Sequence, residues 1–215
     1  MSTSTSVVKP VSQLKLAPGS KVAIPNVSWE EFETILVELG EQRSARVAYS
    51  NRTLEIMVPL PEHEISKDLI SDVVKMLLRL TARKYQPFAS TTFKHQGKAG
   101  VEPDACFYIQ NYQRMIGRRL QPDDLPPDLA IETDVTSKTT LDAYKIIGVP
   151  ELWIYDSSKL TIYILQEGKY VESPTSPIFE EIEITQIIPS VVERAWQVGS
   201  VQALEELEAL LKASH

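Results

Sequence analysis

The 215-residue chain carries a single cysteine, Cys106. That excludes an internal disulfide and any cysteine-based zinc site, and it makes a reducing compartment, the cytoplasm, the expected home. Histidine is almost as scarce. His63, His95 and His215 are scattered along the chain, too few in any one place to build a His-based zinc site. No apolar run approaches the roughly 18 residues of a membrane-spanning helix, and the opening "MSTSTSVVKPVS" lacks the basic start and apolar core of a secretory signal. The eight glycines form neither a P-loop nor a dinucleotide fingerprint, there is no G-x-S-x-G elbow, and Cys106 has no marked base near it. Positive charge is also in deficit, with 22 Lys and Arg against 29 Asp and Glu for a net charge of −7. A broad electrostatic grip on nucleic acid is thereby excluded, so any contact with DNA has to rest on a local site. The basic residues that do cluster, Lys67, Lys75, Arg79, Arg83 and Lys84 on one expected helix and Arg114, Arg118 and Arg119 in an expected loop, read as solvated faces balanced by nearby acids.

What is present organises as one domain from residue 21 to 215 behind a flexible tail of residues 1–20, with no repeat and no internal low-complexity linker. In "VSWEEFETILVELG", Ser28 and Glu31 form a capping box, Val27 and Phe32 a hydrophobic staple, and Gly40 a stop, which predicts a helix. "SARVAYSNRTLEIMVPL" alternates apolar residues around an Asn-containing turn and predicts a β-hairpin. Ile65, Leu69, Val73 and Leu77 draw an apolar stripe at helical spacing from Pro61 to about Lys84. Strands are expected near Phe88 to Lys94, Asp104 to Ile109 and Asp128 to Thr136, then a helix from Lys138 to Ile147 stopped by Gly148 and Pro150, then the strand "ELWIYD". A second hairpin turns at Glu167 and Gly168. Ser190 with Glu193 reads as another capping box before "VVERAWQVG", and Leu204, Leu207, Leu210 and Leu211 give the last helix an apolar face. Trp153, Tyr155 and Trp196 read as core or interface aromatics.

The unusual feature is acid inside apolar strands. In "PDLAIETDV", Ala130, Glu132 and Asp134 alternate onto one face while Ile131, Thr133 and Val135 take the other. Two carboxylates on one face repel unless a cation joins them, and burying them unpaired is costly. The competing reading is a polar face at a sheet edge. One strand earlier, Pro103-Asp104 opens the apolar run "ACFYI", with Asp104 at the strand mouth. An Asp and a Glu on neighbouring strands can converge on a hard cation such as Mg²⁺, which activates water and offsets charge at phosphorus.

The order of elements, Pro103-Asp104, the Glu132 strand, and above all "GVPELWIYD" after a helix containing Tyr144, resemble the Uma family of proposed bacterial restriction endonucleases. That family is also called domain of unknown function 820 and belongs to the PD-(D/E)XK nuclease superfamily. The resemblance runs from about Trp29 to Leu165 and is most specific from Pro127 to Asp156. It implies an α/β restriction-endonuclease-like core, a mixed central β-sheet flanked by helices with an extra N-terminal β-hairpin and C-terminal helices. It further implies a Mg²⁺-dependent hydrolase of DNA phosphodiester bonds, Mn²⁺ being a substitute, and a homodimer. Asp104 and Glu132 match the metal-binding acids of the motif. Where the motif expects Lys, two residues after Glu132, this chain has Asp134, and Lys138 in the first turn of the next helix is the candidate replacement. "PLPEHEISKDL" matches a Glu-His pair at the start of the long helix, so Glu62 and His63 are candidates to complete the metal shell, with Glu64 competing. Asp134 and the acidic charge keep a second expectation open, a catalytically degenerate nuclease fold serving as a binding or assembly module. Hydrolysis of nucleotides or small phosphate esters is a third.

Overall fold

The computed structural model describes residues 10–40, 43–88, 91–121, 124–133 and 137–213, without the side chains of Ser12, Glu62 and His63. In chain order these form β1 (Lys21–Pro25), α1 (Trp29–Leu39), β2 (Arg46–Ser50), β3 (Thr53–Met57), α2 (Pro61–Leu80), β4 (Gln86–Phe88), β5 (Phe93–His95), β6 (Ala99–Val101) and β7 (Ala105–Tyr108). They continue with α3 (Tyr112–Met115), β8 (Leu129–Glu132), α4 (Lys138–Ile147), β9 (Glu151–Asp156), β10 (Lys159–Gln166), β11 (Lys169–Ser173), α5 (Ile184–Val198) and α6 (Ser200–Ala213). No described helix is long and apolar enough to cross a membrane.

The strands form two sheets rather than one. The first, in the order β1-β3-β2-β6-β5, is antiparallel throughout; the second runs β11-β10-β9-β8-β7-β4. Only β8 and β9 pair in parallel, and α4 provides the crossover that a parallel pair requires. The stretch expected as one strand from Phe88 to Lys94 divides between them. β4 joins the second sheet and β5 the first, because the chain has to leave one layer for the other there.

Alternation decides what each face meets. Val47, Tyr49, Leu54 and Ile56 of the first sheet pack with Val27, Phe32 and Leu36 beneath α1. The capping box is present, Ser28 Oγ accepting from the Glu31 N–H at 3.2 Å and Glu31 from the Ser28 N–H at 2.7 Å. Phe32 stacks on Tyr49 with centroids 4.6 Å apart. It also lies so close over Gly100 that a Cβ there would sit 2.6 Å from the ring, so a glycine is required where β6 runs beneath the aromatic pair. Residues 1–9 of the expected tail lie outside the described residues. Val11 and Leu16, within 10–20, pack on the α1 cluster, and the Gly19 N–H donates to the Val58 carbonyl at 2.7 Å.

In the second sheet Leu129 and Ile131 face a core built with α2, α5 and α6, while Ala130 faces α4 and the inner side of the first sheet. β8 is therefore buried on both faces and flanked by strands on both sides, which removes the polar-edge reading of its acids.

Two boundaries differ from those expected from the sequence. The long helix stops at Leu80, with Ala82 at φ 53° and the Arg83 N–H returning to the Leu78 carbonyl. Arg83 and Lys84 are thus not on the helix, and Arg83 bonds the Ile178 carbonyl and lies over Phe179. Ser190 and Glu193 do not cap a helix, since α5 starts six residues before Ser190 and contains Pro189. Ile184, Ile188, Val191 and Val192 are buried along one stripe, and that burial outweighs the single helical hydrogen bond proline removes. On α6, Leu204, Leu207 and Leu211 pack inward as expected, but Leu210 is 62% exposed, and Trp196 on α5 is 57% exposed.

A buried carboxylate pair as the candidate functional site

β7 and β8 are antiparallel with Ala105 opposite Ile131. One step further along that register sets Asp104, just before β7, opposite Glu132 at the end of β8, and residues directly opposite share a face. The two acids are buried, 4% and 6% exposed. Each is held. Asp104 Oδ2 accepts from the Thr133 N–H at 2.9 Å and the Thr133 hydroxyl at 2.8 Å, and Oδ1 lies 3.5 Å from Arg46 Nε. Glu132 Oε1 accepts from the Tyr144 hydroxyl at 2.5 Å.

Tyr144 comes from α4, where helical spacing turns it and Ala143 into the buried interior. Burial first, then the negative charge of Glu132, the hydrogen bond to it and the charge of Asp104, push its phenol well above the ordinary tyrosine value. The phenol stays a neutral donor, and its sensitivity to both acids reflects their convergence on one spot.

Beside Glu132 lies a small cavity of about 30 Å³, room for one or two waters. The first sheet supplies its other wall. Lys21, Met57 and Arg46 stand opposite one another across β1, β3 and β2, as do Ala23, Glu55 and Ala48 one pleat along. These are the positions whose alternates pack under α1, so they take the opposite face, and Lys21, Arg46, Glu55 and Met57 all line the cavity. The N-terminus of α4 closes it. Ser137 caps the helix by accepting from the Thr140 N–H at 3.1 Å and donates to Glu55 Oε2 at 2.5 Å. Glu102, also in the lining, is committed to the Arg43 guanidinium, the Thr92 hydroxyl and the Val47 N–H.

The sequence-predicted residues fare differently. Asp104 and Glu132 are brought together. Lys138 is exposed in the first turn of α4 and is not among the residues that line the cavity. Glu62 and His63 open α2, but their side chains lie outside the described residues, as does all of Asp134. Glu64 does approach, its Oε1 3.7 Å from Arg46 Nη2. Arg46, Lys21 and Thr133 went unread. The signal for the first two was available in the parity of "RVAYS" and "KVAIP", where the cation occupies the face opposite the buried aliphatics.

The donor set fits a hard divalent cation. Two carboxylates share one face, Glu132 with room for water beside it, and Mg²⁺ is bound through one or two carboxylates, waters and substrate phosphate rather than a full protein cage. No group of three or more His, Cys, Asp or Glu that could hold a metal occurs among the described residues. Arg46, at 3.5 Å from Asp104, is a long contact that can yield an oxygen. Among the described residues, three of the eight clustered basic residues are ion-paired: Lys67 with Glu64, Lys75 with Asp72 at 3.0 Å, and Arg118 with Asp124 at 2.7 Å.

A family model described as "Uma2: Putative restriction endonuclease" matches residues 29–198. Among solved structures, the chain is similar to a protein from Anabaena variabilis described as "a putative nuclease belonging to DUF820". That similarity is 20% identity, a TM-score of 0.51, 77% of this chain and 99% of that one, and it establishes the nuclease-like mixed α/β fold. No curated protein matches.

Proposed function

Because the chain belongs to the Uma2 family of restriction-endonuclease type, we propose that it is a divalent-metal-dependent endonuclease that hydrolyses phosphodiester bonds of DNA. The observation that carries this reading is the placement of Asp104 opposite Glu132, two buried acids of which Glu132 lines a water-sized cavity. Asp104 and Glu132 would hold Mg²⁺, or Mn²⁺ in its place, and the ion when bound supplies a Lewis acid and an activated water. The remaining work belongs to the chain. Thr133 fixes Asp104 through two hydrogen bonds, and Tyr144 fixes Glu132 with a donor that does not ionise at working pH. Burial of both acids strengthens every charge interaction there. The test is cleavage of plasmid and duplex oligonucleotides with Mg²⁺ or Mn²⁺, lost on chelation. We also propose a homodimer, one copy per strand, to be checked by light scattering.

Tyr144→Phe removes the donor on Glu132 Oε1 and leaves the ring's packing in place. Partners of metal-binding groups are worth about 10- to 100-fold in affinity or activity, so Mn²⁺ binding by calorimetry and cleavage should both fall within that range. Unchanged Mn²⁺ affinity would show that the phenol does not orient the ligand.

A second reading has one observation in its favour. Asp104 is already satisfied by Thr133 and Arg46, as a carboxylate retained for structure in a binding module would be. Calorimetry separates the two, since a pair that takes up neither Mg²⁺ nor Mn²⁺ at millimolar concentration cannot support metal-dependent cleavage.

A further inference from the structure

Resting on the nuclease reading, we infer that Lys21, the first residue of β1, is the catalytic cation that contacts the scissile phosphate. Phosphodiester hydrolysis needs a positive charge on the non-bridging oxygens as negative charge builds there. β8 offers no lysine two residues after Glu132, where Asp134 stands. Lys138 lies off the cavity, and Arg46 is engaged with Asp104 and Glu64.

Lys21 has the placement the others lack. It lines the same cavity as Glu132, and Met57 links it to Arg46 across the strands. β1 is the edge strand of the first sheet and Lys21 its exposed first residue, whereas Glu132 in the same lining is buried. A phosphate approaching from solvent would therefore reach Lys21 before Glu132. Among the described residues Lys21 forms no ion pair, whereas Lys67, Lys75, Lys94 and Lys145 are each bound to an acid. A flexible stem carrying a compact charge with rotatable donors suits a phosphate whose charge shifts during reaction.

In the step, water oxygen forms a bond to phosphorus as one P–O ester bond breaks. The water's proton passes to solvent and the departing alkoxide takes one from solvent. Lys21 keeps its proton throughout and supplies charge alone.

The experiment compares parent, Lys21→Ala, Lys21→Arg and Lys138→Ala in two readouts. In single-turnover cleavage with Mg²⁺, Lys21→Ala should lose at least about 100-fold, the scale of one preorganised donor on a developing oxyanion. Lys21→Arg should recover part of that, and Lys138→Ala should cleave like the parent. Mn²⁺ affinity and thermal midpoint should stay unchanged in Lys21→Ala, since the side chain is exposed. In metal-free binding of a short duplex, Lys21→Ala should flatten the salt dependence by about one phosphate contact. Cleavage by Lys21→Ala within about 3-fold of the parent, or loss in Lys138→Ala instead, overturns the assignment. An unchanged salt slope overturns the phosphate contact even if no variant cleaves. A parent that never cleaves while the slope still flattens overturns the nuclease reading and the catalytic role, leaving a phosphate-binding lysine.

Discussion

Glu132→Gln should abolish the proposed cleavage, by more than about 10³-fold, while the protein keeps its fold. The magnitude follows from what the change removes. Losing one neutral donor to a developing oxyanion costs about 10² to 10³, and here a full negative charge on the proposed metal ligand would be lost. The fold survives because glutamine has nearly the shape of glutamate, and its oxygen can still accept from the Tyr144 hydroxyl. Asp104→Asn is a poorer test of the same idea. Thr133 donates twice to one oxygen and Arg46 faces the other, so an amide nitrogen must oppose a donor on one side and the stability falls with the activity. Calorimetry gives the parallel readout, an Mn²⁺ isotherm that weakens at least about tenfold in Glu132→Gln. If Glu132→Gln cleaves as the parent does, the carboxylate pair is not the reaction centre.

Much of this site was legible in the sequence because it depends on local rules. The period of two assigned Ala130 and Glu132 to one face of β8, and both face the α4 side as the alternation required. The helix after the strand runs from Lys138 to Ile147 as read, stopped by Gly148 in the left-handed region at φ 89°. What local rules do not contain is which strands become neighbours. Arg46 and Asp104 are 58 residues apart, and Ser137 and Glu55 are 82 apart. Both contacts exist only because the N-terminal hairpin builds a separate sheet that closes over the end of β8. The expected fold sets an extra N-terminal β-hairpin beside a central sheet without making that hairpin a second wall, so nothing in it points to Lys21 and Arg46. Lys138 is close to Glu132 in sequence, but in the fold it is exposed and is not among the residues that line the cavity. The C-terminal boundary failed for a different reason. Ser190 and Glu193 satisfy the capping pattern, but the pattern says nothing of the apolar stripe upstream, and Ile184 and Ile188 extend the helix through Pro189.

Glu151→Ala lowers stability by about 3 kcal/mol, a fall in thermal midpoint of about 10 °C for a chain of this size. Glu151 is another buried acid in the stretch from Pro127 to Asp156, and unlike Glu132 it does structural work. It opens β9 with 3% exposure. Its Oε1 accepts from Trp153 Nε1 at 2.6 Å and from the Ser176 hydroxyl at 2.5 Å, and its Oε2 accepts from the Ile178 N–H at 3.3 Å. One side chain thus pins the segment after β11 to the central strand and satisfies the buried indole of Trp153. Removing it orphans three donors, each costing about 1–3 kcal/mol when left buried, with water entering the vacated space to recover part. The pH dependence distinguishes this from simple loss of packing. Burial outweighs the hydrogen bonds and raises the Glu151 carboxyl above its ordinary 4.5. The folded state therefore holds this proton more tightly than the unfolded chain, and the stabilisation from that difference is full below about 4.5 and is lost as pH rises through the raised folded value. The gap in unfolding free energy between parent and Glu151→Ala should accordingly be widest at the acid end and narrow toward neutrality. Glu151→Gln, which retains one acceptor oxygen and cannot ionise, should cost less than the alanine and remove that part of the pH dependence. Chemical denaturation of the three proteins across that range measures both effects, and a parent-to-glutamine difference that is flat with pH would show that Glu151 does not titrate in the folded state.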